Sequence, residues 1–545
     1  MRSIFFLFFI PSLAFAQKWK KYDKEAEGKL KAHISFLADD KLEGRRAGSA
    51  GEQTAATYIA NTFSQIGLIA KGTENFFQPF TIDEGRKIKN TTFFEVGGKA
   101  LKPGVDFFPL SYSPDSKTIE AASSIAVSER GVPWFIDLQE GYEENKNNPH
   151  ADIDEWIKTK AKYASSKGAT AILLYHSGVG EEPVYNGKDK SEKATIPVIY
   201  FKRENFSKYF TDRETTYDYT FRIETEPNLR QSKNVVGFID NNAPTTIVIG
   251  AHFDHLGFGE DGNSMLRTSE RLIHNGADDN ASGTAGLMLL AELIKKEKIK
   301  SHNFLFIAFS AEELGLMGSK YFVENPTVDL SKISYMINMD MIGRLNDSTK
   351  SITVGGFGTS PVWASVVKSD KKTAISFKID SSGTGPSDHT SFYRKDIPVL
   401  FFFTGIHGDY HKPSDDWDKI NYKGEWNILK FALSIITNPA TSGTIPFLKT
   451  REQATGTSTR FSVSMGIMPD YTFSGYGVRV DGVSEGKPAQ AVGIKAGDIV
   501  TELGENKISS VDTYMKALSK FKKGDSTTVK LKRGNEVLTF NITFK

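Results

Sequence analysis

Seven of the ten histidines lie between positions 252 and 411, and acidic residues recur beside them. The apolar run 247–251 ends in His252-Phe253-Asp254. In an extended segment, residues two apart point to one side. Asp254 can therefore stand behind His252 and steer its imidazole as a metal ligand. Gly276-Ala277-Asp278-Asp279-Asn280-Ala281-Ser282-Gly283 comes directly before a helical pattern. One acid there could cap the helix. Two acids exceed that need, and one of them, Asp278 or Asp279, can bridge two cations. Glu312 and Glu313 follow the apolar run 304–309. Paired glutamates are usually solvated surface charge. At the end of a buried-type strand, one can bind metal while the other acts as general base toward water. Asp340 stands alone in Met339-Asp340-Met341-Ile342, and a charge in so apolar a setting needs a partner. Tyr410-His411 closes the series. The set offers two imidazoles and three carboxylates to metal, with one glutamate to spare. Such N/O donors suit zinc, held as a pair that shares one carboxylate. The chain has no cysteine, which excludes a thiolate zinc site and a thiol nucleophile.

These side chains need strands to deliver them. Residues 247–251, 304–309, 333–339 and 397–403 are continuous apolar runs, and 283–296 and 426–436 have helical patterning. This alternation predicts an α/β domain with a mixed, mostly parallel sheet flanked by helices. In such sheets ligands bind beyond the carboxyl ends of the strands, where most of these acids and histidines fall. Residues 29–68 read as two amphipathic helices around a turn of small residues, the second ending at Gly67. Residues 97–225 differ in texture, with short β-type runs at 134–138, 171–175 and 196–201 and one helix between them. Residues 440–461 are rich in Thr, Ser and Gly and read as a linker. A length of 545 residues suits several domains.

At the amino end, Arg2, the apolar run 4–13 and Ala14-Phe15-Ala16 predict a signal peptide cleaved after Ala16, hence a secreted or periplasmic protein. The run is short for a bilayer, and no other apolar stretch predicts a membrane span. A net charge of +2 without a long basic run argues against a nucleic-acid partner.

The motif series resembles the M28 family of zinc peptidases. The matching stretches are A-H-F-D-H (251–255), N-G-A-D-D-N-A-S-G (275–283), S-A-E-E-L-G-L-M-G-S (310–319), N-M-D-M-I-G-R (338–344) and D-Y-H-K-P-S-D (409–415), in the family's order. L-A-D-D-K-L-E-G-R-R-A-G-S (37–49) is similar to the family's usual start. The resemblance implies a zinc exopeptidase fold over 17–96 and 226–439, binding two Zn2+. It implies that His252 and Asp340 hold one zinc, Glu313 and His411 the other, with Asp279 bridging and Asp278 the rival bridge. Glu312 would be the general base, Asp254 the carboxylate behind His252, and Tyr410 a wall of the substrate pocket. His255, His274, His389 and His407 have no ligand role in the pattern. The implied activity is peptide-bond hydrolysis, most often as an aminopeptidase. The alternatives are a carboxypeptidase, a glutaminyl-cyclase-like zinc enzyme, or a peptide-binding scaffold.

Residues 97–225 resemble an inserted protease-associated (PA) domain, on K-Y-A-S-S-K-G-A-T-A-I-L-L-Y (162–175) and A-T-I-P-V-I-Y-F (194–201). Residues 462–545 resemble a PDZ domain, on S-M-G-I-M (464–468) and G-K-P-A-Q-A-V-G-I-K-A-G-D-I-V-T-E-L (486–503). The expected partners are a peptide or protein substrate and a C-terminal peptide on the PDZ-like part.

Overall fold

The computed structural model describes residues 20–146, 153–179, 182–187, 192–266, 268, 270–368, 375–450, 463–469, 476–483, 487–509, 511–534 and 536–544. The expected signal peptide, 1–16, lies outside them, as does 451–461 of the 440–461 segment. Among the described residues no helix is long and apolar enough to cross a membrane. The chain divides into two compact units, one of residues 1–80 and 231–545 and one of residues 81–230.

The first unit opens with helices α1 (Asp23–Leu37) and α2 (Ala50–Ile66). Ser49 caps α2 by accepting the Glu52 backbone N–H, and Gly67, at φ 82°, ends it in the left-handed conformation that glycine adopts without strain. The two helices are separated by a 3-10 turn, Asp40–Arg45. A short strand β1 (Ile69–Ala70) follows. The chain leaves the unit along β2 (Phe77–Ile88) and returns along β3 (Thr225–Ile239). Then come β4 (Thr246–His252), α3 (Gly283–Lys296), β5 (Asn303–Phe309), α4 (Met317–Glu324) and β6 (Ile333–Met339). The last elements of this core are β7 (Ser351–Gly355), β8 (Ser376–Ile379), α5 (His389–Tyr393), β9 (Val399–Phe403) and α6 (Tyr422–Ile436).

The sheet order is β1-β3-β5-β4-β6-β9-β7-β8, with β2 on β3. Its centre, β5-β4-β6-β9, is parallel. Every residue of β4 and β6 is buried, because a parallel sheet is covered on both faces and its strands are apolar on both. The main core joins α1, α2, α3 and α6 to one side of these strands. A smaller cluster around Phe309, Phe322 and Phe392 covers the other. Strands β7 and β8 have no counterpart among the expected strands. Ser351-Ile352-Thr353-Val354-Gly355 and Ser376-Phe377-Lys378-Ile379 mix polar and apolar residues, and only the second is an edge strand.

The second unit holds two four-stranded sheets. In one, Trp134–Asp137, Ile172–Tyr175 and Val198–Phe201 run parallel. Its core is aromatic, with Phe94 packed against Phe107, Phe201 and Phe221. Toward the carboxyl end, Ile467–Pro469 is the terminal strand of a separate antiparallel sheet, with its own core around Met465, Val480, Leu503 and Leu531.

Candidate metal centre and active site

His252 is the last residue of β4, Asp340 follows the last residue of β6, and Glu312 and Glu313 lie just beyond β5. The parallel centre of the sheet thus delivers four groups to one edge. Three non-glycine residues with positive φ border them: Ala311 (56°), Met341 (51°) and His411 (52°). Such residues cost about 1–3 kcal/mol each and persist where the surroundings dictate them, often at functional sites.

Asp279 stands between two imidazoles. Its Oδ1 is 3.3 Å from His252 Nε2, and its Oδ2 is 3.2 Å from His411 Nε2. Asp340 Oδ1 lies 3.3 Å from His252 Nε2, and Glu313 Oε2 lies 3.3 Å from His411 Nε2. These separations fit a metal. Four ligands at about 2.0 Å around a tetrahedral zinc stand roughly 3.3 Å from one another. Two groups of donors, His252-Asp279-Asp340 and His255-Asp279-Glu313, converge closely enough to hold an ion each.

The second group includes His255, for which the sequence motifs suggested no role. Its Nδ1 is 2.9 Å from Glu313 Oε1, while its Nε2 is buried without a partner. It orients Glu313, whose other oxygen turns to His411. The signal was present in A-H-F-D-H, where a second histidine follows His252 by three residues.

Asp278 is engaged elsewhere. Gly343 N–H and the Ser282 hydroxyl donate to its Oδ1 at 2.6 and 3.1 Å, and His407 Nε2 is 3.1 Å from its Oδ2. Asp415, not singled out from the sequence, accepts the backbone N–H groups of Asp278 and Asp279 at 2.9 and 3.1 Å and so fixes the central acid. Behind His252, Nδ1 is 3.2 Å from the backbone oxygen of Asp254 and 3.7 Å from its carboxylate. The carbonyl is therefore the direct partner. The carboxylate instead accepts the backbone N–H of Glu312 at 3.1 Å.

Arg45 is fully buried. Its guanidinium donates to the carbonyls of Phe253 (2.8 Å), Asn275 (2.7 Å), Gly276 (3.0 Å) and Leu37. It thereby ties together the segments that carry His252 and Asp279. Burial pulls it down to about 10, partly offset by Asp254 and Asp279, so it remains a cation at neutral pH.

The electrostatics separate the acids. Burial pushes Glu312 well above the usual carboxylate range, with Asp340 and Asp388 adding to the effect of burial and His252 opposing it. Burial would also raise Asp279, but hydrogen bonds from His252 and His411 hold it well below that range. Glu313 is held at about 2, because His411 and His255 outweigh its burial. His252 and His411 resist the effect of burial and are raised well above the ordinary histidine value by the acids around them.

A cavity opens from Asp279, Glu312, Glu313, Asp340 and His411. Tyr410 lines it, with its ring stacked on His411 at 3.9 Å. Burial and the nearby acids push its hydroxyl well up, so it stays neutral. His389 lies in the wall, stacked on Phe401 at 4.4 Å, and burial lowers it to about 3, leaving it uncharged. No lysine or arginine lines the cavity among the described residues.

Two parts of the chain match known domain families. Residues 234–436 match peptidase family M28, and residues 455–544 match the PDZ domain. The chain is 25% identical over 417 residues to aminopeptidase YwaD of Bacillus subtilis, covering 73% of this chain and 82% of that one. It is 34% identical over 161 residues to leupeptin-inactivating enzyme 1 of Streptomyces exfoliatus, covering 28% of this chain and 35% of that one. Among solved structures, BSAP, a zinc aminopeptidase from Bacillus subtilis, aligns over 77% of this chain and 98% of its own, at 20% identity and a TM-score of 0.42. The chain thus carries a domain of peptidase family M28 over residues 234–436 and a PDZ domain over residues 455–544.

Proposed function

We propose that the chain is an exported two-zinc aminopeptidase that releases the N-terminal residue of peptides. The observation that carries this reading is Asp279, with one carboxylate oxygen turned to His252 and the other to His411. His252 and Asp340 would hold one zinc, Glu313 and His411 the other, and Asp279 would serve both. A zinc pair supplies an acidified water and polarises the scissile carbonyl.

The protein's own groups do the rest. Glu312, unbound in this scheme and raised by burial, takes a proton from the attacking water at its carboxylate and returns it to the nitrogen of the leaving amine. Asp254 fixes Glu312 through its backbone N–H. Tyr410 closes one wall, and the apolar lining beyond it keeps bulk water from the bond. The acidic, arginine-free lining suits a substrate's free α-ammonium and offers no cation to a C-terminal carboxylate. This favours an aminopeptidase over a carboxypeptidase.

In the same reading, residues 97–225 are a PA-like module that filters substrate. The terminal strand Ile467–Pro469 is where the PDZ domain would add a peptide strand. The amino-terminal apolar run supports export. The test is hydrolysis of aminoacyl anilides and free-amine peptides alongside N-acetylated and C-amidated ones, with zinc measured per chain. The proposal expects cleavage that needs a free amine and tolerates amidation, with about two zincs bound. Cleavage that needs a free carboxylate, or one zinc with no peptidase turnover, would refute it.

A further inference from the structure

The cavity does not stop at the metal ligands. It runs along one face of the sheet, past Phe401 and Phe403 of β9 and Thr353 and Gly355 of β7, to Asp380 just after β8. The register shows why these residues share a face. Thr353 pairs with Phe403 and Gly355 with Phe401. On the other side, Thr353 pairs with Lys378 and Val354 with Ile379, which sets Asp380 level with Gly355. Asp340 follows Met339, which pairs with Phe402, so Asp340 is level with Phe403. Asp380 therefore lies three strands away from Asp340, about 14 Å at the usual strand spacing, and deeper by two residues along the strands.

Between these two acids the lining is mainly apolar, with Met341, Phe401, Phe403 and Ile406 beside Thr353. Gly355 keeps the passage open next to Phe401, which a Cβ there would meet at 3.2 Å. Asp380 Oδ1 accepts the Ser382 N–H at 2.9 Å, which fixes the carboxylate. Among the described residues no cation contributes to its electrostatics. Burial raises it, and the Ser382 hydrogen bond alone opposes that. A half-buried carboxylate is costly without a partner, and the other ionisable group in this part of the wall among the described residues, His389, is uncharged.

We propose that Asp380 is the specificity residue of this cleft, selecting peptides whose N-terminal residue carries a long basic side chain, lysine or arginine. The methylene stem packs on the aromatic passage while the charged end reaches the carboxylate, the usual way such side chains bury their length. The two aromatic rings and the distance disfavour short side chains. This inference rests on the aminopeptidase reading above.

The experiment uses the full zinc-loaded chain and two arms. In the first, binding of L-lysine is compared with that of L-norleucine, which lacks only the terminal ammonium, by titration calorimetry. In the second, kcat/KM is measured for lysyl, arginyl, leucyl and methionyl anilides with the wild type and Asp380→Asn. A charge-assisted hydrogen bond predicts a lysine preference on the order of tenfold or more. Asp380→Asn should remove that preference and leave leucyl-anilide turnover within about threefold, since a surviving apolar wall loses little on an isosteric change. Equal binding of lysine and norleucine by the wild type would overturn the proposal without any variant. A basic preference that survives Asp380→Asn would overturn it as well. In both cases leucyl-anilide cleavage would leave the aminopeptidase reading intact. Cleavage of N-acetylated peptides alone would overturn that reading, and this proposal with it.

Discussion

Asp254 accepts the backbone N–H of Glu312 at 3.1 Å while its carboxylate stands 3.7 Å from Nδ1 of His252. Asp254 thus holds the proposed base through its carboxylate and His252 through its backbone carbonyl, 3.2 Å from Nδ1. Asp254→Ala keeps the carbonyl behind His252 and removes the acceptor of the Glu312 N–H, so kcat should fall by about 10–100-fold and zinc affinity by less. Zinc titration with a competing chelator, read beside steady-state rates, checks both. An unchanged kcat at saturating zinc would mean that the link to Glu312 does not matter for turnover.

Glu312→Gln keeps the shape of the side chain and removes its basicity. The expected loss in kcat is about 10²–10⁴-fold, with zinc content by mass spectrometry unchanged. Full turnover in this variant would rule out Glu312 as the base.

Asp279 and His411 should differ in metal stoichiometry. Asp279→Ala removes a donor from both groups and is expected to lose both ions. His411→Ala is expected to lose one. Elemental analysis after dialysis separates the two outcomes, and equal loss from both variants would contradict a shared carboxylate.

Arg45→Met leaves four buried carbonyls without their donor. Unpaired buried groups cost about 1–3 kcal/mol each, so thermal stability should fall clearly. Zinc affinity should fall with it, because the carbonyls belong to the segments that bear His252 and Asp279. A variant with wild-type melting behaviour and zinc affinity would show that the Arg45 contacts are dispensable.

Glu52 gives the pH dependence. Burial raises it to about 7, against hydrogen bonds from Ser232 and Ser310. A buried acid with a raised folded value contributes stability as its neutral form. That contribution is complete below about 4.5, the unfolded value, and is lost as pH rises through about 7. Glu52→Gln should therefore flatten the fall in melting temperature between these pH values and match or exceed the wild type above them. A steeper fall in the variant would contradict the assignment.

The strands that carry the site were legible because buried parallel strands are apolar on both faces, and 247–251, 304–309 and 333–339 read as such without ambiguity. His252, Glu313 and Asp340 were legible because each ends or closely follows such a run, while Asp279 and His411 were legible only through the short motifs that hold them. His255, Asp415 and Arg45 were not singled out. Each acts through a backbone group or another acid's second oxygen, and such contacts join positions far apart in the chain. Strands β7 and β8 were missed for a different reason. Four or five residues of mixed polarity look like loop, and only their pairing beside β9 makes them strands. Asp380 follows one of these strands, so the cavity's far end was invisible from the sequence.

The reach of Arg45 also bears on how the chain folds. Its partners Asn275 and Gly276 come 230 and 231 residues later, beyond the whole of the unit formed by residues 81–230. During synthesis the second unit can close around its own core before the peptidase sheet has its central strands, since compact units fold separately. The amino-terminal helices must wait with the Arg45 side chain unsheltered until β4 and its neighbours emerge, and a long loop must close to seat it. The catalytic half is thus the late-maturing part of the molecule, and peptidase activity cannot precede completion of the segment that sits between its two pieces.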